Sequence, residues 1–504
     1  MRKIVSLFSG AGGLDAGFKL CGNWYSTVFA NEILRAPAET FRINFHSKIL
    51  ETFSREEREY LRSSGQQSGK AGTVQDPAGT AYGQEGSYIP AVVNTDIQNI
   101  DFEAVLSAFG HPDLVLGGPP CQDFSVLRGK DGRKGIEVSR GRLYSYFVKA
   151  IAHLNPKVFV FENVPGLISA NGGLAYKTIV SDFENLEKGY EDIKKVVGNN
   201  LGPEVGKYKL AFNDVVDFSS LGVPQKRKRL IIIGVRKDNA DRLEFQIIKQ
   251  EVEKELRGRA LLFSNFPLTP IEVFEGDTLN NLGEKYKAVM EEYEGVWKDN
   301  TSEIAAKWKE EIWDHLTFDV VEDYLFFNQK KNGYLEGLEK YENAEDFGAD
   351  TSKGSFWRAM QEHKEVLKLL GYYGRPVPSA EGEGSDKIAE RMRLIPPGGN
   401  FKFVENTEFR VKGLMSNIYR RLNPLIPSPA VIAYGGGGTW GYHYRRGRSR
   451  LTNQERARLQ TFPEWFRFAG SNQEIRAQIG EAVPPLGAYH IARAVQLILK
   501  DSTE

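Results

Sequence analysis

Lys3-Ile-Val-Ser-Leu-Phe8 runs directly into Ser9-Gly10-Ala11-Gly12-Gly13. A short apolar run that stops at clustered glycines reads as a buried strand feeding a tight turn. The pattern recurs through the first 235 residues. Thr27–Ala30 ends at Asn31-Glu32, Asp113–Leu116 at Gly117-Gly118-Pro119-Pro120, and Val158–Phe161 at Glu162-Asn163. Leu230–Val235 is a fifth run. Continuous apolar runs separated by helix-length segments indicate a mostly parallel sheet with helices on both faces, an α/β fold. Functional residues of such a sheet collect just past the carboxyl ends of its strands.

The chain has 504 residues, 41% of them hydrophobic and 26% charged, enough apolar material for a large core and against global disorder. No run reaches the ~18 apolar residues of a membrane span. The opening Met1–Phe8 is too short and too soon interrupted for a signal peptide. Two cysteines, Cys21 and Cys121, exclude a disulfide framework, and both are expected to be reduced thiols in a cytoplasm. Seven scattered histidines give no zinc-ligand spacing. The 66 basic and 66 acidic residues cancel, but not locally. Residues 236–350 hold 27 acids against 15 bases, and 391–460 hold 13 Lys and Arg against 3 Glu. Residues 62–91, rich in Gly, Ser, Gln and Ala, read as a flexible surface insertion. Leu243, Ile247, Val252 and Leu256 mark an amphipathic helix over 242–256, and Ile491, Val495 and Ile498 a closing helix.

The strand ends carry the chemistry. Phe8, Gly10 and Gly12 form a turn that lets the backbone approach a ligand closely. Glu32 can accept hydrogen bonds from a ribose diol. Asp96 can hold an adenine amino group, with Ile97 covering the ring. The glycine spacing is not that of a dinucleotide binder, which disfavours a nicotinamide oxidoreductase. Cys121, after two prolines, is placed as a nucleophile, whereas Cys21, between Leu20 and Gly22, fits a small buried hydrophobe. Arg128, Lys130, Arg133, Lys134, Arg140 and Arg142 crowd the Gly-rich segment that follows, as in a loop closing on a polyanion. Burial at a strand end would raise the pKa of Glu162 and let it donate to a ring nitrogen. Arg227 and Arg229, two apart in extended chain, should point the same way and hold a carbonyl oxygen or phosphate.

Phe8-x-Gly10-x-Gly12, Pro120-Cys121-Gln122, Glu162-Asn163-Val164, Gln225-x-Arg227-x-Arg229, the Arg456–Pro463 block and Gln478-Ile479-Gly480 stand in one order. In these motifs the chain resembles the bacterial DNA (cytosine-5)-methyltransferases of restriction–modification systems. The match covers residues 1–235 and about 419–497. The resemblance implies a Rossmann-like, class I methyltransferase fold with a smaller target-recognition domain. It implies S-adenosyl-L-methionine as cofactor, held by Phe8, Gly10, Gly12, Glu32, Asp96, Ile97 and Leu143. It makes Cys121 the nucleophile, supported by Gln122, Glu162, Arg229 and Arg227, and duplex DNA the substrate.

On that reading, residues 1–235 completed by 451–504 form the catalytic domain, and 236–450 recognise the target. Arg128 in the segment after Cys121, and Arg445, Arg446 and Arg448 in a stretch that also holds Trp440, Tyr442, His443 and Tyr444, are the candidate DNA contacts. Arginines there can read guanine edges or hold phosphates. The acidic stretch is expected to face away from DNA or to cover a scaffold surface. A monomer in the cytoplasm, associated with the nucleoid and serving a companion restriction endonuclease, completes the expectation. Two departures stand out: Glu481 where the family usually has Asn, and Ala430 where Thr is common. A tRNA cytosine methyltransferase and a non-catalytic DNA-binding regulator are the competing readings. The length of 236–450 argues against the first and the intact motifs against the second.

Overall fold

The computed structural model describes residues 1–54, 56, 57, 59, 74–75, 81–82, 89–120, 142–198, 207–258, 260–311, 352–378, 386–411, 418–435, 439, 441–446 and 450–500. Cys121, Gln122, Arg128, Arg448, Trp440 and most of the 62–91 insertion lie outside them. Within that insertion, Val74–Gln75 pairs antiparallel with Ala81–Tyr82.

One eight-stranded sheet organises the chain. Its strands are β1 (Arg2–Leu7), β2 (Tyr25–Asn31), β3 (Lys48–Leu50), β4 (Ala91–Val93), β5 (Leu114–Gly117), β6 (Val158–Asn163), β7 (Tyr208–Asp217) and β8 (Lys228–Arg236). Their spatial order is β3-β4-β2-β1-β5-β6-β8-β7. The first six run parallel, and β8 lies antiparallel to both β6 and β7. All five runs seen in the sequence are strands. β3, β4 and β7 carried weaker signals: β3 and β4 are three residues long, and the edge strand β7 mixes polar with apolar residues.

The apolar runs are continuous because both faces of the sheet are covered. Ile4, Leu114, Leu116, Val158, Val160, Ile231 and Ile233 point into one core. Val5, Val115, Phe159, Phe161, Leu230 and Ile232 point into the other. On the first face, helix α1 (Gly13–Lys19) packs against the last helix, α2 (Pro485–Lys500). Contact is close at Gly17, where an added Cβ would lie 2.3 Å from the Ala488 Cβ. Ile491, Val495 and Ile498 of α2 are buried. The amphipathic helix spans Phe245–Arg257 and also packs on α2; it buries Ile248 where Ile247 was expected, and Ile247 faces outward.

The first core does not stop at residue 236. It runs on through Leu268, Phe274, Tyr293, Phe356 and Tyr372 to Leu422 and Tyr444. A separate cluster around Met392, Phe403, Ile418 and Tyr442 supports the residues beyond. Among the described residues no helix is long and apolar enough to cross a membrane, and no His/Cys/Asp/Glu group could hold a metal ion.

Candidate active site

The turn after β1 is shaped by backbone geometry. Phe8 and Gly10 have φ of 54° and Gly12 of 89°, the left-handed region that a phenylalanine rarely adopts. An added Cβ at Gly10 would meet nothing within 4 Å, so the turn borders open space. Glu32 closes the other side. It accepts from the Gly10 and Leu34 backbone N–H groups, each at 2.8 Å, tying the tail of β2 to the tail of β1. Burial lifts the pKa of Glu32, the two backbone donors oppose this, and nearby Glu481 adds to it.

Asp96 accepts from the Gln98 backbone and side chain, both at 3.0 Å. Ile97 is buried at 3% exposure, whereas Ile33 and Leu34, directly after Glu32, are 60% and 51% exposed. The bare apolar surface beside the acid is therefore Ile33–Leu34. Its signal in the sequence was an apolar pair following a strand-end carboxylate. Leu143 stands half-buried in the first turn of the helix Arg142–Leu154. A left-handed glycine turn onto open space, a carboxylate with spare acceptor lone pairs and an apolar ledge suit a nucleoside. They fit the adenosyl part of S-adenosyl-L-methionine.

Next to this cradle, β5 ends at Gly117 and leaves through Gly118-Pro119-Pro120. Glu162, at the end of β6, lies over that exit. A Cβ on Gly118 would sit 2.7 Å from Glu162 Oε2, so any side chain there would push the carboxylate from its present position. Asn163 Nδ2 donates to the Pro119 carbonyl at 3.0 Å, fastening the exit to the β6 tail. The proline turn leading to Cys121 is thereby locked to the strand that carries Glu162. The Glu162 carboxyl, nearly buried as the strand-end position implied, is one half of an ion pair, with Arg229 Nε 2.8 Å from Glu162 Oε1 and side-chain exposures of 15% and 11%.

Arg227 does not join Arg229, which corrects the expectation that both would converge on one target. It occupies the break between the short strand Gln225–Lys226 and β8, so the extended alternation is interrupted there. Its guanidinium donates to the carbonyls of Val431 (3.3 Å), Gly480 and Ala482 (both 3.0 Å). Burial and the neighbouring Arg229 cation push it down to about 9. Gln225, wholly buried, donates to the Leu459 carbonyl at 3.0 Å and accepts from the Val431 N–H at 3.0 Å. Ser428–Pro429 pairs in parallel with Gln225–Lys226. The Gln-x-Arg half of the motif thus knits three distant segments to the sheet edge, and Arg229 alone faces Glu162. Cys21 behaves as expected: burial pushes its thiol up to about 12.

The basic stretch divides likewise. Tyr442, His443 and Tyr444 are buried at 3% exposure or less, so these three rings of the basic stretch are core residues rather than a DNA-facing surface. Arg445 and Arg446 pair instead with the acidic helix α3 (Gly283–Asp299) through Glu292 and Asp299.

A family model for C-5 cytosine-specific DNA methylases matches residues 2–63 and 78–497. The DNA (cytosine-5-)-methyltransferase M.ApeKI of Aeropyrum pernix is 46% identical over 98% of both chains. The type II methyltransferase M.NgoFVII of Neisseria gonorrhoeae is 30% identical over all of this chain and 88% of its own. A solved E. coli prophage protein named as a DNA modification methyltransferase shares the fold. It has a TM-score of 0.52 and 20% identity over 99% of this chain and 100% of its own. With a family model spanning nearly its full length and a relative at 46% identity end to end, the chain belongs to the C-5 cytosine-specific DNA methylases, which use S-adenosyl-L-methionine as methyl donor.

Proposed function

We propose that this chain methylates C5 of a cytosine flipped out of one specific duplex sequence, as the modification enzyme of a restriction–modification system. The observation that carries this reading is the Glu162–Arg229 pair, held over the Gly118–Pro120 turn that Cys121 follows in the sequence. A stacked base hides its reacting carbons, so the cytosine must leave the duplex. The Cys121 thiolate adds to C6 and drives electron density toward C5. Glu162, at N3, stabilises the ring as charge develops, and Arg229 fixes the orientation of Glu162. When bound, S-adenosyl-L-methionine supplies an electrophilic sulfonium methyl group. Loss of the C5 proton then expels Cys121 and restores the aromatic ring. Gln122 flanks the nucleophile, and Phe8, Gly10, Gly12, Glu32, Asp96 and Leu143 hold the cofactor, with Ile33 and Leu34 added beside the adenine.

Residues 236–450 carry target recognition, with Arg128 and Arg448 as further DNA contacts. The enzyme acts as a monomer in the cytoplasm, at the nucleoid, beside a companion endonuclease. Bisulfite sequencing of DNA from cells expressing the chain reports base, motif and activity together. Labelled methyl transfer to DNA but not tRNA is expected, abolished by Cys121→Ser with DNA binding kept. Label in tRNA alone, or full activity of Cys121→Ser, overturns the reading.

A further inference from the structure

Arg445 and Arg446 are adjacent and carry the same charge, yet the structure holds them differently. Arg446 is spent inside the protein. Its Nε donates to the Arg393 carbonyl (3.1 Å), its Nη1 to the Glu292 carbonyl (3.1 Å) and its Nη2 to the Asp299 carboxylate. Its side chain is 18% exposed. Arg445 is 49% exposed and engaged along one edge only. Nε and Nη2 both donate to Glu292 Oε1, at 3.1 and 2.9 Å. The other oxygen of Glu292 accepts the Arg446 backbone N–H at 3.1 Å. A guanidinium has five N–H donors, so the outer Nη1–Nη2 edge keeps two parallel ones.

The mount under Arg445 is rigid. Its N–H donates to His443 Nδ1 at 3.0 Å. Its carbonyl, with that of His443, accepts from Arg421, which is wholly buried, at 2.7 and 2.6 Å. The Tyr293 hydroxyl donates to the intervening Tyr444 carbonyl. The platform also connects to the catalytic edge. Tyr442 bridges to Arg421, and that segment continues to Ser428 and Val431, which are bonded to the Gln225 strand.

We infer that Arg445 is a specificity-determining residue that reads a guanine edge in the target duplex, with Glu292 as the positioning residue that aims it. This rests on the DNA-modifying reading above. Phosphate binding rewards net positive charge, and Glu292 and Asp299 cancel the charge of both arginines. Base reading rewards two donors fixed in a plane, which the buttressed fork supplies.

The test uses the full chain and the target found by bisulfite sequencing. Methylation rates are measured on a panel of duplexes, each with one base pair of the target changed, at several salt concentrations. Arg445→Ala should lose roughly 10- to 100-fold of discrimination at one guanine position, with the salt dependence unchanged. Arg445→Lys keeps the charge but not the fork and should lose it too. Glu292→Gln should relax the same position in part, because a neutral amide holds the fork less firmly. A uniform rate loss on all duplexes with a salt slope shallower by about one would make Arg445 a phosphate contact and overturn the inference. Unchanged discrimination in both Arg445 variants would overturn it as well. Should wild-type protein methylate no DNA, the functional reading itself falls, which is a distinguishable result. Thermal unfolding and cofactor binding verify that each variant is folded.

Discussion

Two carboxylate–arginine pairs organise opposite ends of this chain's work. Glu162–Arg229 sits where β6 ends beside the start of β8, with side-chain exposures of 11% and 15%, while Glu292–Arg445 joins helix α3 to the basic stretch at 28% and 49%. Both close at 2.8–2.9 Å, so distance does not separate them. Solvent does. In the buried pair water cannot replace a lost partner, and removing one charge leaves the other stranded. In the exposed pair water and salt screen the attraction, so little stability is at stake and what remains is geometry. On the proposed function and the inference drawn from it, the same chemical unit serves as a reaction centre in one place and an aiming device in the other.

The largest effect should come from the buried pair. Glu162→Gln keeps the shape and removes the charge, and single-turnover methyl transfer per folded molecule should fall roughly 10²- to 10³-fold, with a lower melting temperature as well because Arg229 is left without its buried partner. Full methyl transfer per folded molecule beside a lowered melting temperature would make the pair a structural tie. Next come the two arginines of one motif. Arg227→Ala should cost roughly 3 kcal/mol or more of unfolding free energy, because the carbonyls of Val431, Gly480 and Ala482 lose a buried charged donor. Arg229→Ala should do the reverse, cutting turnover per folded molecule more than stability. Denaturant titration beside kcat decides, and equal effects on both quantities would erase the distinction.

Asp15 adds a third case, a carboxyl that is 1% exposed and accepts from Ser6 and Thr27, with no ion pair to a cation among the described residues. Burial lifts it from 3.8 to about 6, against those two hydrogen bonds. Its folded pKa is raised, so the stabilising effect of its proton is complete at low pH and is lost as pH rises through about 6. Asp15→Asn should gain on the wild type across that window, by at most about 3 kcal/mol, and hold the gain above it. A melting-temperature difference that ignores pH between 4 and 7 would refute this. The smallest effect belongs to Glu292→Gln, within about 0.5 kcal/mol in stability. A larger loss by calorimetry would mean the exposed pair is a structural tie after all.

The strand ends were legible because a strand buried on both faces needs an unbroken apolar run, and such runs stop visibly at glycine, proline or acid. Glu32, Glu162 and the glycine turn were found that way. The Arg227–Arg229 pair was misread because alternation holds only within a strand, and Arg227 sits in a break. Tyr442 and Tyr444 were assigned to a surface because basic neighbours suggested one, yet only the fold shows that Tyr419 stacks on Tyr442 and Phe274 on Tyr444. Ile33 and Leu34 were passed over because an apolar pair after a strand reads as core until its exposure is known.

The sequence by itself determined the parallel α/β sheet, the strand-end placement of the acids and the glycine turn, and the order of the motifs that mark the family. These follow from local rules: apolar period, turn chemistry and residue spacing. Tertiary structure alone decided which guanidinium faces Glu162, that the Glu162 carboxylate packs against Gly118, and how Gln225 and Arg227 bind segments more than 200 residues away. It also decided that the acidic helix α3 neutralises the basic platform, so that the zero net charge is in part built from direct contacts. Such pairings are made across space between residues remote in the chain, and spacing along a sequence carries no record of them.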